Sequence, residues 1–146
     1  MKPEFEIKNE LGRRVVHARL TGVFDEQAMR NWCLAYRERA TNPYKGKRHI
    51  VIADMRGMKT MHPSIAALMG AEIGHARGNG VVLCAHVSDE TVQRLQAARI
   101  ARQHSPHDDV TIDVDSPEEA RKVVASYLPF IDDPRFAQSI RGAMSA

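Results

Sequence analysis

The chain has 146 residues, 43% hydrophobic and 27% charged, with a formal net charge of +3 and a pI near 9.1. That size suits one domain with a core that needs no disulfide or metal staple. Aromatics at 5% exclude a base-stacking platform, no run approaches the ~18 apolar residues of a membrane span, and the two cysteines form no CxxC pair for zinc or thioredoxin-type chemistry.

Residues 1–6 lack the apolar stretch of a signal peptide, so the expected compartment is the cytoplasm. Residues 5–9 and 13–20 suit two strands joined by a turn at Asn9-Glu10-Leu11-Gly12. Val16, Ala18 and Leu20 share one face, with His17 and Arg19 on the other; Arg14 breaks the alternation at the start. This pattern predicts a hairpin at a sheet edge with one wet side. Asp25 is a good N-cap for a helix over 26–40, whose stripe is Met29, Trp32, Cys33, Tyr36 and Ala40. A polar loop over 41–47 contains Asn42-Pro43 and Gly46.

His49-Ile50-Val51-Ile52-Ala53-Asp54 is apolar nearly throughout, as a parallel strand buried on both faces must be. After a loop over 55–62, Pro63 fits the first position of a helix carrying Ile65, Leu68, Met69, Ile73 and Ala76, with Gly78 just past its end. Residues 81–87 form a strand in which Cys84 reads as a small core residue. Ser88 is placed to cap a third helix with Asp89 and Glu90 in its first turn. A last strand covers 110–114. Ser116-Pro117-Glu118-Glu119 is a capping box opening a final helix that buries Ala120, Val123, Val124 and Tyr127. Residues 129–146 form an extension that either adds a short helix with Phe136 and Ile140 four apart or frays. The fold class is therefore α/β: a mixed, mainly parallel sheet of about four to five strands, an N-terminal hairpin and about four helices. One domain spans 1–128, followed by the extension.

Familiar chemistries are weakly represented. Arg94, Arg99, Arg102, His104 and His107 gather towards one helix end, where cations are favoured anyway, and six acids follow within 108–119. Nucleic acid is not an expected partner. Asp54 ends a buried strand where receiver domains carry a phosphoacceptor, but the acidic pair and lysine of those domains are missing; bonding loop amides is its expected role. Asp54, His62 and Ser64 are the residue types of a hydrolase triad, yet His62 and Ser64 lie two apart at a helix start and no G-x-S-x-G exists. No histidine pair has i, i+4 spacing within a predicted helix, and Gly78-Asn79-Gly80 runs from helix to strand, the wrong way for a phosphate cradle. No enzyme activity, metal or cofactor is expected.

The loop Arg56-Gly57-Met58-Lys59-Thr60-Met61-His62-Pro63-Ser64 is the remaining candidate. Ser64 lies in a helix first turn, where free amides favour an added phosphate, and Arg56 and Lys59 add positive charge. Met55, Met58 and Met61 form an adaptable apolar surface if they are exposed, and fill the sheet edge if they are not.

The arrangement resembles the STAS family, the fold of anti-sigma factor antagonists of the SpoIIAA type. The matching features over roughly 5–128 are the hairpin, Gly22 before the first helix, Ile50-Val51-Ile52-Ala53-Asp54, the loop into a helix at Met61-His62-Pro63-Ser64, Gly80-Val81-Val82-Leu83-Cys84 and the helix from Asp89. In that family an Asp-Ser-Ser/Thr-Gly motif before the second helix is phosphorylated by a partner kinase and switches binding. Here His62 stands at the Asp position, Pro63 at the phosphoacceptor, Ser64 at the next hydroxyl and Ile65 at the glycine. Proline has no hydroxyl, so Ser64 is the candidate phosphoacceptor only with a one-residue shift. The resemblance implies a non-catalytic regulatory domain that docks a protein partner through Met58, Met61, His62 and Ser64. The alternative is a carrier of a small apolar ligand or lipid, since STAS-like folds are similar in architecture to CRAL-TRIO domains. The hairpin edge or the final segment would serve a homodimer.

Overall fold

A computed structural model describes residues 1–104, 110–134 and 136, with backbone alone for 101–104. Its strands are β1 (Glu4–Glu10), β2 (Val15–Thr21), β3 (His49–Asp54), β4 (Val81–Val87) and β5 (Thr111–Val114). The helices are α1 (Glu26–Tyr36), α2 (Pro63–Arg77), α3 (Thr91–His104) and α4 (Pro117–Tyr127). Spatial order equals chain order, β1-β2-β3-β4-β5; β1 and β2 pair antiparallel and every later pair is parallel. The α/β class inferred from the sequence is the class observed.

Crossovers of one hand that always step to the next strand deliver their helices to one face. Accordingly α1, α2 and Ile100 of α3 pack on Val16, Ala18, Leu20 and Val51, while α4 covers Ile50, Ile52, Leu83, Ala85 and Val87 on the opposite face. β3 sends side chains into both cores, which is why its residues 50–53 are all apolar. The described residues after α4 stay on this second face: Ile131 and Phe136 are buried there, Arg14 pairs with Asp132 at 2.6 and 2.8 Å, and Arg48 donates to the Asp133 carbonyl at 3.2 Å. The expected pairing of Phe136 with Ile140 lies outside the described residues, as does His107.

Several element ends differ from expectation. β2 begins at Val15 because Arg14 (φ 60°) completes the hairpin turn, which explains the broken alternation. β2 is also interior, with only β1 on that edge. The helix of α1 runs on as a π-helical turn over Arg37–Thr41 and a 3-10 turn at Asn42–Tyr44. Gly78 closes α2 in helical conformation (φ −67°); the left-handed residue is Gly80 (φ 110°), where a Cβ would stand 2.4 Å from the Lys47 carbonyl oxygen. α3 starts after Asp89 and Glu90, since the Ser88 hydroxyl is engaged at 2.8 Å with Gln93 Oε1. At α4 the Glu119 amide donates to Ser116 Oγ and Glu119 Oε2 accepts from the Asp115 amide, both at 3.1 Å.

Candidate ligand-binding cavity

The loop after β3 does not present its methionines. Met55, Met58 and Met61 are 4%, 1% and 7% exposed and belong to the core between sheet and helices. The cause is backbone pairing that pulls the loop onto the end of β2: Gly22 donates to the Gly57 carbonyl and Lys59 to the Gly22 carbonyl, both at 3.0 Å. Gln96 of α3 then clamps Met61 by both backbone groups, at 2.9 and 2.7 Å. The expectation of an adaptable Met58–Met61 surface is therefore corrected: these side chains fill the sheet edge.

His62 and Ser64 remain exposed. His62 is the N-cap of α2, its Nδ1 accepting from the Ser64 amide at 3.1 Å and lying 2.8 Å from Ser64 Oγ. Thus the structure keeps His62 with Ser64 and separates both from Met58. Asp54 bonds the Arg56 amide at 3.2 Å and its guanidinium at 2.9 and 3.0 Å. Burial pushes this carboxyl up, but the Arg56 contacts prevail and hold it below the usual range.

Met55 and Met61 instead help to wall a cavity of about 250 Å³ between the sheet and α1, α2 and α3. Its origin is a coincidence of small side chains. Ala18 and Ala53 lie on the strands beneath it and Ala97 and Ala98 on α3 above it, with Trp32, Tyr36, Met61, Met69 and Ile73 around it. Ala53 and Cys84, though on central strands, are only half-buried because they border this space. Interiors are normally close-packed, so a gap of this size is a feature that needs a use.

One end of the cavity is polar. His86 on β4 faces Asp113 on β5, the residue paired with it across the parallel ladder. Nδ1 of His86 lies 3.0 Å from Asp113 Oδ1, and Nε2 lies 3.1 Å from Met55 Sδ. The bond from His86 holds the Asp113 carboxyl below the usual range despite partial burial. Gln93 of α3, 2% exposed, points its Nε2 at the same sulfur from 3.8 Å. Arg77 donates to Thr111 Oγ1 at 2.5 Å, and both residues line the cavity. Neither Asp113 nor Gln93 stands out in the sequence. His86 interrupts an apolar strand and Asp113 a second one, but only the strand register brings them together.

Among the described residues no group of three or more His, Cys, Asp or Glu side chains is placed to hold a metal ion. Burial pushes the Cys33 thiol up to about 11, which leaves it a poor nucleophile. No described helix is long and apolar enough to cross a membrane. No family model matches the chain, and no curated protein matches it in sequence.

Proposed function

We propose that this protein binds and carries a small, largely apolar molecule in the cavity between its sheet and α1, α2 and α3, without a chemical step. The observation that carries the reading is the alanine-lined gap of about 250 Å³. It exceeds the ~150 Å³ cavity that accepts benzene and falls below the ~300 Å³ of drug-sized sites. A ligand somewhat larger than one aromatic ring fits. The test is to fill the gap. Ala53→Leu and, separately, Ala97→Leu should abolish binding of an apolar probe such as 1-octanol while circular dichroism and the unfolding midpoint show an intact fold. Native mass spectrometry of the protein from its own host should show a non-covalent organic adduct on the unsubstituted chain only. Unchanged probe binding in both variants would remove the cavity as the site.

A second reading, a STAS-like regulatory domain of the cytoplasm with a protein partner, is favoured by one observation. Ser64 is an exposed hydroxyl in the first turn of the 15-residue α2. The topology is in keeping with that resemblance. Peptide mapping should then find an added mass of about 80 Da on Ser64. The first reading is preferred because the apolar half of the proposed docking loop is buried.

A further inference from the structure

We propose that the polar end of the cavity is a head-group site for a carboxylic acid, in which His86 Nε2 and Gln93 Nε2 take the two carboxyl oxygens and the Met55 thioether moves aside. This rests on the cavity being the binding site and specifies what enters it.

The argument is a hydrogen-bond account of two buried side chains. Asp113 is ionised, so His86 Nδ1 carries its proton and donates at 3.0 Å, an assignment made from the network. The ring is thereby fixed with Nε2 towards Met55. Ser88 Oγ lies 2.8 Å from Gln93 Oε1 and, assigned from the same network as the donor there, orients the amide with its NH2 towards the same sulfur. His86 and Gln93 are only 4% and 2% exposed. A thioether is a weak acceptor and no donor, so two well-buried nitrogens share one poor partner. Met55 is also unbranched and adaptable, the kind of side chain that can yield its place. Trp32, another cavity wall, has an indole N–H without a partner among the described residues. With its proton on Nδ1, His86 presents an acceptor at Nε2 and Gln93 a donor at Nε2, so this end of the cavity suits a group that both donates and accepts.

A carboxylic acid group supplies both. Its two oxygens match two nitrogens, where an alcohol offers one: the acid O–H donates to His86 Nε2 and the other oxygen accepts from Gln93 Nε2. A ligand arriving as the anion therefore brings one proton with it from solvent. No other bond is made or broken. The imidazole ring then lies between the carboxyl group and Asp113. The charges that bear on it are balanced: Asp113 is 44% exposed and is faced by Arg94 from α3, and Arg77 from α2 lines the cavity. Cys84 on the same strand and Tyr36 on α1 are the other titratable side chains there, and burial keeps Tyr36 neutral.

Octanoate and 1-octanol, equal in chain length, are the probes, read by the fluorescence of Trp32, the single tryptophan, and by calorimetry in two buffers of different protonation enthalpy. Octanoate should bind at least about tenfold more tightly than 1-octanol, because a buried polar site rejects ligands that leave it unpaired. Its binding should take up about one proton at neutral pH. Gln93→Leu and His86→Phe should erase the preference while 1-octanol still binds, and Met55→Leu should keep it. Should His86→Phe fail to fold, Gln93→Leu alone decides. Equal binding of the two probes, or octanoate binding without proton uptake, overturns the head-group site and leaves the cavity reading standing. No binding of either probe removes both.

Discussion

His49 is buried without access to solvent and stacks on Tyr44, ring centroids 4.0 Å apart and planes within 3°. Its Nδ1 donates to the Lys47 carbonyl at 2.8 Å, while Nε2 has no partner among the described residues. Burial lowers its pKa, and the bond to Lys47 offsets this only in part. The folded protein therefore holds the neutral ring. The unfolded chain takes up the proton first as pH falls. Stability is full above the unfolded value near 6.5 and declines as pH drops from there towards the lower folded value. Urea midpoints should fall between pH 8 and pH 5, and His49→Phe should flatten that slope whatever its own midpoint. The depressed carboxyls of Asp54 and Asp113 act in a separate window, below about 3.8, where protonation removes what they contribute. At this scale the sequence was partly legible. Asp54 takes the loop amide expected of it, and Pro63 opens its helix. Of the two glycines after α2, the one with positive φ is Gly80 rather than Gly78, because the close approach of Lys47 belongs to a distant loop that no local pattern reveals.

At the scale of elements, α2 shows how a helix is tied to its neighbour. Glu72 falls on the apolar side of the helix, 6% exposed, and accepts from Arg37 Nε and Nη2, both at 3.1 Å. Arg37 opens the π-helical turn after α1, so the pair joins two elements. Removing Arg37 strands a buried carboxylate, whereas removing both does not. Arg37→Ala should lower stability by about 2 kcal/mol, the low end for a buried pair because Arg37 is half exposed. The double variant with Glu72→Ala should recover part of that loss in chemical denaturation. The edges are guarded differently. β1 exposes Glu4, Glu6 and Lys8 along its length and β5 is only four residues long, features that discourage further strand pairing and weaken the case for a homodimer through the hairpin. Helix starts at Asp25, His62-Pro63 and Ser116 fall where side-chain caps place them, since capping is a matter of neighbours two or three residues apart.

For the whole molecule, three helices on one face and one on the other leave the back of the sheet short of cover. Leu128, Ile131 and Phe136 complete it. Phe136 meets Tyr127 edge to face, centroids 5.9 Å apart, with the Arg48 guanidinium over its ring. Because Phe136 closes the second core at 1% exposure, Phe136→Ala should cost about 3–5 kcal/mol, measured as a lower denaturation midpoint with unchanged m-value. The helix-covered face is the reverse case. It is roofed by more elements yet less tightly filled, because Ala18, Ala53, Ala97 and Ala98 meet there. One face is thus tightly closed, and the other keeps the gap proposed as the ligand site.

The sequence by itself determined the alternation of strand and helix, the apolar central strand, the caps and hence the α/β class. Each of these is written in periodicities and neighbours within about ten residues of one another. Only the tertiary structure decided that Met58 and Met61 are interior, that His86 meets Asp113 from 27 positions away, and that four unremarkable alanines border one space. Burial of a loop depends on which backbone it pairs with, and a cavity on the summed volumes of residues from four strands and three helices. Both are properties of register and packing, and no single segment carries them.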